Sequence, residues 1–530
     1  NIRELKTMKV VLLNSKELHD LINTSRKYPL FLIFIFFLSI IILFKRFTSR
    51  SKSNLPPSPP KLPIIGNLHQ LGTHPHHSFR ALSDKYGPLM LLHLGRVPSL
   101  VVSSSEMVRE IVKNHDVVFS GRPKTTAVDI FLYGGQDVAF SSYGEYWRQI
   151  RKLCVLELLS VKRVQQFHFI REEETALLVN RVRKACADGA CINLSEMLVG
   201  TSNNIISRCI LGQSFEDEDG ESRFGELTRR VMTDFTAFSV GDFFPNKYMK
   251  WIDLVTGLLG RLKASFRALD AFFDQVVEEH KAVLENDHNG SGRKDFSGIL
   301  LGLQKDGMLD FELTPQNVKA LIMDFFVGAS DTTSTVLEWL MAELVRNPRV
   351  MKKAQDEVRR VVGNKPEIDM DDINQMEYLK CVIKETLRLH PPVPFLVPRK
   401  TLSSVELGGY NIPKHTTVYI NAWAIQRDPS EWDKPEEFVP ERFLNNPIDF
   451  NIAKDFEYIP FGVGRRGCAG VQFGIVSIEY VIVHLLYWFD WKLLNGGGAI
   501  LAEEMDMSDV YGLTVHKKTP IHLVPIPYSP

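Results

Sequence analysis

Residues 460–470 read Pro460-Phe461-Gly462-Val463-Gly464-Arg465-Arg466-Gly467-Cys468-Ala469-Gly470, and an uninterrupted apolar run, VQFGIVSIEYVIVHLLYWF, begins directly after them. Glycines ahead of the cysteine let backbone approach a bulky partner closely and turn amides toward the sulfur. The apolar run predicts a helix, so the thiol stands at its start. There the free N–H groups and the positive end of the dipole favour a thiolate. A thiolate held this way is either a nucleophile or a metal ligand. A nucleophile wants a histidine base, and none lies nearby in the chain. An inert buried cysteine would have no use for the glycine cage. The other cysteines, Cys154, Cys186, Cys191, Cys209 and Cys381, are too few and scattered for a disulfide scaffold, and no paired C-x-x-C motifs point to structural zinc.

Outward from this loop the composition is that of a folded globular chain. Of 530 residues, 44% are hydrophobic and 24% charged, which excludes a disordered or fibrous protein. With 63 Lys+Arg against 63 Asp+Glu the net charge is zero, so no basic surplus argues for a nucleic-acid partner. One local extreme stands out: residues 28–44 (YPLFLIFIFFLSIIILF) carry no charge. As a helix they span about 26 Å, enough for a bilayer core. The next residues are Lys45-Arg46-Phe47-Thr48-Ser49-Arg50, not a small-residue cleavage site, and the run has no polar face. An uncleaved membrane anchor is predicted. Lys45, Arg46, Arg50 and Lys52 after it outnumber Lys16, Arg26 and Lys27 before it, which favours a cytosolic body.

The expected organisation is an N-terminal segment (1–27), the anchor (28–44), a basic and proline-rich hinge (45–63) and one large domain (64–530). Pro56, Pro57, Pro59, Pro60 and Pro63 rule out helix in the hinge and favour an extended connector. Residues 285–294 (ENDHNGSGRK) read as a surface loop. The histidines of Gly72-Thr73-His74-Pro75-His76-His77 have no partnering Cys, Asp or Glu cluster in the sequence and are not read as a metal site.

Most of the body reads as helix. The clearest element starts at Thr314-Pro315, a capping residue before a first-turn proline, and stops before Asn347-Pro348. Its middle, Gly328-Ala329-Ser330-Asp331-Thr332-Thr333, is small, polar and poor in helix formers. Either helices pack closely there or something flat and large sits against it. Short β-type segments predict two hairpins, residues 89–94 with 99–102 and residues 405–410 with 416–420. The fold class is therefore mainly α with a minor antiparallel β portion.

Phe461-x-x-Gly464-x-Arg466-x-Cys468-x-Gly470 resembles the haem-binding signature of the cytochrome P-450 family. Glu385-Thr386-Leu387-Arg388 is similar to the family's E-x-x-R, and Pro440-Glu441-Arg442-Phe443 to its P-E-R-F segment. Trp147 and Arg151 match W-x-x-x-R, and Gly328-Ala329-Ser330-Asp331-Thr332 resembles the A-(A/G)-x-(D/E)-T of its long helix, with the usual Ala-Gly order reversed. The likeness covers roughly residues 55–530. It is strongest to plant microsomal A-type, 71A-like members, which share the proline-rich hinge and segments such as Phe119-Ser120-Gly121-Arg122-Pro123.

The resemblance implies the cytochrome P-450 fold, a single large haem domain behind an N-terminal transmembrane helix. It implies haem b with Cys468 as axial iron ligand. Trp147, Arg151, Arg399, Phe461 and Arg466 are then cofactor-binding residues. Glu385, Arg388 and Arg442 form a structural lock, and Asp331 and Thr332 relay protons for oxygen activation. By position, Phe131, Leu132, Phe325, Ala329, Phe395, Leu396, Val510 and Tyr511 are expected in the substrate pocket. The implied activity is monooxygenation of a small hydrophobic plant metabolite: a terpenoid, alkaloid or aromatic compound. No flavin or nicotinamide motif is present, so electrons are expected from NADPH through NADPH–cytochrome P-450 reductase, with cytochrome b5 as an optional second partner. Arg148, Lys152 and Arg465 are candidates for a basic docking face. The implied location is the endoplasmic reticulum membrane, single-pass, facing the cytosol. An NADPH-independent haem-thiolate isomerase or dehydratase would not need Asp331 and Thr332, and a non-enzymatic haem-binding membrane protein would need neither these residues nor a reductase.

Overall fold

The computed structural model describes residues 33, 34, 36–40, 54–214, 223–245, 249–286, 295–307, 309, 311–365, 367–450, 454–495, 498–499 and 502–529. The chain divides into two units, Asn1–Asn54 and Leu55–Pro530. In the first, residues 33–34 and 36–40 are helical with exposed side chains. The rest of the predicted anchor, and residues 287–294 of the predicted surface loop, lie outside the described residues. Among the described residues, the helix long and apolar enough to cross a membrane is Val471–Trp488, and most of it is buried within the protein.

In the second unit, the long helix runs Pro315–Arg346 as its signals predict. The Thr314 side chain accepts the Asn317 amide at 3.2 Å while Asn317 Oδ1 accepts the Thr314 amide at 2.9 Å, closing a reciprocal cap. The helix crosses the unit and packs on Leu194–Leu211, Glu377–Leu389 and Val471–Trp488. Val471–Trp488 is apolar nearly all round because it is enclosed by neighbours, with Ile482, Val483, Leu485 and Leu486 fully buried.

The β portion is small. Leu89–Leu94 and Val97–Val102 form the first expected hairpin, with Leu89 opposite Val102. The second hairpin differs from expectation. Val405–Leu407 pairs with Tyr410–Ile412 across Gly408-Gly409, both at positive φ, a two-residue loop that turns the chain back at once. Thr417–Ile420 is thereby released to pair in parallel with Val97–Val102, and Arg399–Lys400 adds antiparallel at its far side. The proline-rich segment lies on this sheet, where the Leu91 amide donates to Pro57 O at 2.9 Å.

Candidate active site

The cysteine loop, the middle of the long helix and the segment around Leu396 enclose a cavity of about 320 Å³. Gly462 and Gly464 take positive φ of 74° and 61°, conformations that suit glycine. At Gly464 a Cβ would also stand 2.7 Å from Asp116 Oδ1. The loop closes on itself through the Cys468 amide to Phe461 O at 2.8 Å and the Gly467 amide to Gly464 O at 2.9 Å. The Gly470 amide donates to Cys468 Sγ at 3.3 Å. The sulfur is accessible on the cavity side although protein surrounds it. That enclosure pushes the thiol pKa up, against the Gly470 N–H and the Arg151 charge, so the thiolate is favoured only with a cation against it.

Guanidinium groups gather beside the thiol. Trp147, Arg151, Arg399 and Arg466 line the cavity, as does Arg122, which the sequence reading did not place in the site. Arg466 donates to Ser120 O and Ser141 O, both at 2.7 Å, with its guanidinium 4.3 Å from the Trp147 ring centroid. Arg122 donates to Ala139 O at 2.8 Å and Val397 O at 2.6 Å. Arg151 reaches Gly467 O at 2.6 Å, and the Trp147 indole donates to Val138 O at 3.0 Å. Arg399 Nη1 is buried with no hydrogen-bond partner and stands 3.6 Å from Asp116 Oδ1. Burial lowers Arg466 to about 9, Arg399 to about 10 and Arg122 as well; Arg399 further lowers Arg466, and Arg466 and Arg399 further lower Arg122. Enclosed cations gathered at one wall, one with a donor that lacks a hydrogen bond, suit a ligand that carries negative charge. A dianionic, iron-bearing, mostly apolar macrocycle meets all three demands: thiolate, cations and apolar wall. The residues present fit haem.

The loop that holds these arginines rests on two carboxylates the sequence reading also missed. Asp324, on the cavity wall, accepts the Val138 and Ala139 amides at 2.7 and 3.0 Å. Asp137, fully buried, accepts the Phe140 amide at 2.6 Å. Enclosure, and then the facing Asp137, push Asp324 well up, and burial pushes Asp137 up, so ionisation of the pair is suppressed. No sequence signal joins them; Asp324 lies on the long helix and Asp137 on a loop.

Across the cavity, Gly328, Ala329 and Thr332 form the wall. The Thr332 hydroxyl donates to Gly328 O at 2.7 Å. Asp331 points away from the lining and accepts the Thr514 hydroxyl at 2.6 Å. Glu385 and Arg388 are fully buried behind the loop. Arg388 grips both carboxylate oxygens at 2.8 and 2.9 Å, and Arg442 Nε joins at 3.0 Å.

The expected pocket residues separate. Phe325, Ala329 and Leu396 line the cavity. Phe131, Leu132, Phe395, Val510 and Tyr511 do not, which corrects that part of the expectation. Leu396 has φ of 53°, and this turn sends its side chain to the cavity while Phe395 packs on Phe79, 5.0 Å between ring centroids. Phe131 and Leu132 are buried in the core, Phe131 against Phe235 and Phe266, and Val510 and Tyr511 lie on the exposed strand Asp509–Tyr511. Phe296, Phe473, Ile206 and Ile210 supply apolar wall instead.

A family model described as Cytochrome P450 matches residues 56–523. The chain is 56% identical over 516 residues to phenylacetaldehyde oxime monooxygenase CYP71AN24 of Prunus mume, covering 96% of this chain and 97% of that protein. It is 50% identical to cytochrome P450 71A1 of Persea americana, over 87% of this chain and 91% of that one. To tabersonine/lochnericine 19-hydroxylase of Catharanthus roseus it is 44% identical, over 93% and 97%. Among solved structures, a zebra fish cytochrome P450 with progesterone matches with a TM-score of 0.70 at 27% identity, covering 86% of this chain and 99% of that one.

Proposed function

The chain belongs to the cytochrome P450 family as a plant 71A-like monooxygenase, and from that premise we propose that it inserts one atom of O2 into a small hydrophobic, aromatic metabolite. The observation that carries the reading is the convergence of Cys468, five cavity-facing arginine and tryptophan side chains, and Thr332 on one apolar cavity. Cys468 would hold the haem iron, with Trp147, Arg122, Arg151, Arg399 and Arg466 about its anionic edge. Bound haem supplies the one-electron chemistry that activates oxygen.

The chain's own residues do the rest. Phe296, Phe325, Phe473, Ile206 and Leu396 present apolar wall and exclude water from the reacting face. Thr332 holds a hydroxyl proton at that wall; Asp331, tethered by Thr514 outside the lining, would have to leave Thr514 and turn inward to act as the next proton-carrying group. The Glu385–Arg388–Arg442 cluster keeps the cysteine loop in place. Electrons come from NADPH through a reductase, with cytochrome b5 as an optional second donor. The apolar residues 28–44 support a single-pass anchor in the endoplasmic reticulum membrane with the body in the cytosol. Of the basic docking candidates, Arg148 pairs with Glu145, and Arg465 with Asp116 at 3.2 Å, so any reductase contact must share those cations.

The aromatic wall and the 56% identity to an enzyme named for phenylacetaldehyde oxime make arylalkyl oximes the first compounds to test. Full-length protein in membranes with reductase is expected to give a ligand-induced shift of the Soret band with phenylacetaldehyde oxime, and NADPH-dependent product. Product formed without NADPH would overturn the monooxygenase reading. A thiolate-type carbon monoxide spectrum persisting in Cys468→Ala would overturn the ligand assignment.

A further inference from the structure

The histidine segment that the sequence left without a partner acquires one in the fold. His74 precedes the helix Pro75–Tyr86, and His76 and His77 sit in its first turn. Asp509, at the start of the strand Asp509–Tyr511, comes against all three from the far end of the chain. One nitrogen of His76, one of His77 and one oxygen of Asp509 lie within 4.8 Å of one another.

Three features distinguish this cluster from an ordinary ion pair. His76 is fully buried, and neither ring nitrogen has a hydrogen-bond partner, an unusual state for an imidazole inside a protein. Its Nε2 stands 3.6 Å from Asp509 Oδ2, too long for a hydrogen bond. Two ligands each about 2.0–2.1 Å from a tetrahedral ion lie about 3.4 Å apart, so the gap has the size of a shared metal rather than of a shared proton. The other carboxylate oxygen, Oδ1, is held by His74 Nε2 at 2.9 Å, which fixes the carboxylate plane and leaves Oδ2 for the cluster.

The protonation states agree with this geometry. Burial lowers His76, and the partly enclosed His77, open to solvent on its other side, is lowered as well, so both rings offer lone pairs. His77 is exposed, which gives an ion a route from solvent.

We propose that His76, His77 and Asp509 form a binding site for one divalent transition-metal ion, with water completing the shell. Two imidazoles and a carboxylate select zinc or its neighbours over calcium and magnesium, which prefer all-oxygen shells. The ion clasps the first helix of the body to the hairpin formed by Asp509–Tyr511 and Val515–Lys517. The turn of that hairpin carries Thr514, the donor to Asp331, so the clasp bears on the long helix from the outer edge of the protein.

The test uses the tag-free, haem-loaded full chain, equilibrated with zinc and then dialysed, with zinc and haem counted by elemental analysis. About one tightly held zinc per chain is expected, together with a zinc-dependent rise in melting temperature. His77→Ala, at an exposed position, and Asp509→Asn should each cut zinc affinity by at least tenfold while haem content stays unchanged. No zinc above background in the parent protein, or equal retention by both variants, would overturn the proposal. Calcium at the same concentration should give no shift; an equal shift would overturn the transition-metal assignment. Haem content is read separately, so failure of this site is distinguishable from failure of the haem site.

Discussion

Gln426 Oε1 accepts the Ile459 amide at 2.9 Å, one residue before the cysteine loop begins at Pro460. The same glutamine gives its backbone carbonyl to Arg388 at 2.8 Å. The buried Glu385–Arg388–Arg442 cluster is thus linked through Gln426 to the residue that leads into the cysteine loop.

Removing the shared carboxylate leaves two enclosed guanidinium groups uncompensated. Glu385→Ala is therefore expected to cost about 3–5 kcal/mol and to abolish stable haem incorporation. Gln426→Ala, which spares the charges but cuts the link to Ile459, should cost about 1–3 kcal/mol. Chemical denaturation with haem content measured in parallel separates the two.

Arg399 Nη1 is a buried donor with no hydrogen-bond partner, 3.6 Å from Asp116 Oδ1. Arg399→Gln should leave the fold intact while haem dissociates about tenfold to hundredfold faster, the loss of one charge-assisted hydrogen bond of about 1.5–3 kcal/mol. Transfer of haem to an acceptor globin measures the rate. An unchanged rate would mean that Arg399 acts only on Val463 O, which it also contacts.

The Asp137–Asp324 pair predicts a pH effect of definite sign. Both carboxyls are raised above the ordinary aspartate value of 3.8, so the folded protein keeps a proton that the unfolded chain releases. Their contribution to stability is fullest below about pH 4 and is lost as pH rises through the raised folded value. Asp324→Asn keeps an oxygen for the Val138 and Ala139 amides and carries no charge. It should flatten the decline in stability that sets in above about pH 4 in denaturant titrations; an unchanged slope would count against the raised carboxyls.

Gly328 faces the cavity from mid-helix, and a Cβ there would meet nothing within 4 Å. Gly328→Ala should stabilise the protein by about 0.5–1 kcal/mol, yet weaken the spectral binding of bulky ligands. A melt and a ligand titration on the same sample check both halves.

What could be read in the sequence was what lies close along the chain. The cysteine loop is contiguous, Glu385 and Arg388 share a helix face, and Thr314-Pro315 with Asn347-Pro348 bracket the long helix. Arg122 and Asp324 are not legible as site residues, because their partners are backbone groups supplied by tertiary contact, nor is Asp137, which Asp324 meets only in the fold. The pocket was read only in part, since the turn at Leu396 reverses which neighbour faces inward. The β-type residues suggest that Thr417–Ile420 pairs with the segment at 405, whereas the Gly408-Gly409 turn closes that hairpin sooner, on Tyr410–Ile412. The histidines of the helix Pro75–Tyr86 show no partner in the sequence because their carboxylate, Asp509, lies at the opposite end of it.

The parallel pairing of Val97–Val102 with Thr417–Ile420 also sets a timetable for the molecule. The earlier strand leaves the ribosome roughly 320 residues before its partner, which at about 5–20 residues per second is a wait on the order of half a minute. For that interval one edge of Val97–Val102 has its backbone unpaired, and the residues around the cavity cannot assemble, since the cysteine loop is made later still. A nascent chain of this design depends on whatever shields that edge until synthesis is nearly complete. Chains halted before residue 417 should therefore aggregate, however well their helices form.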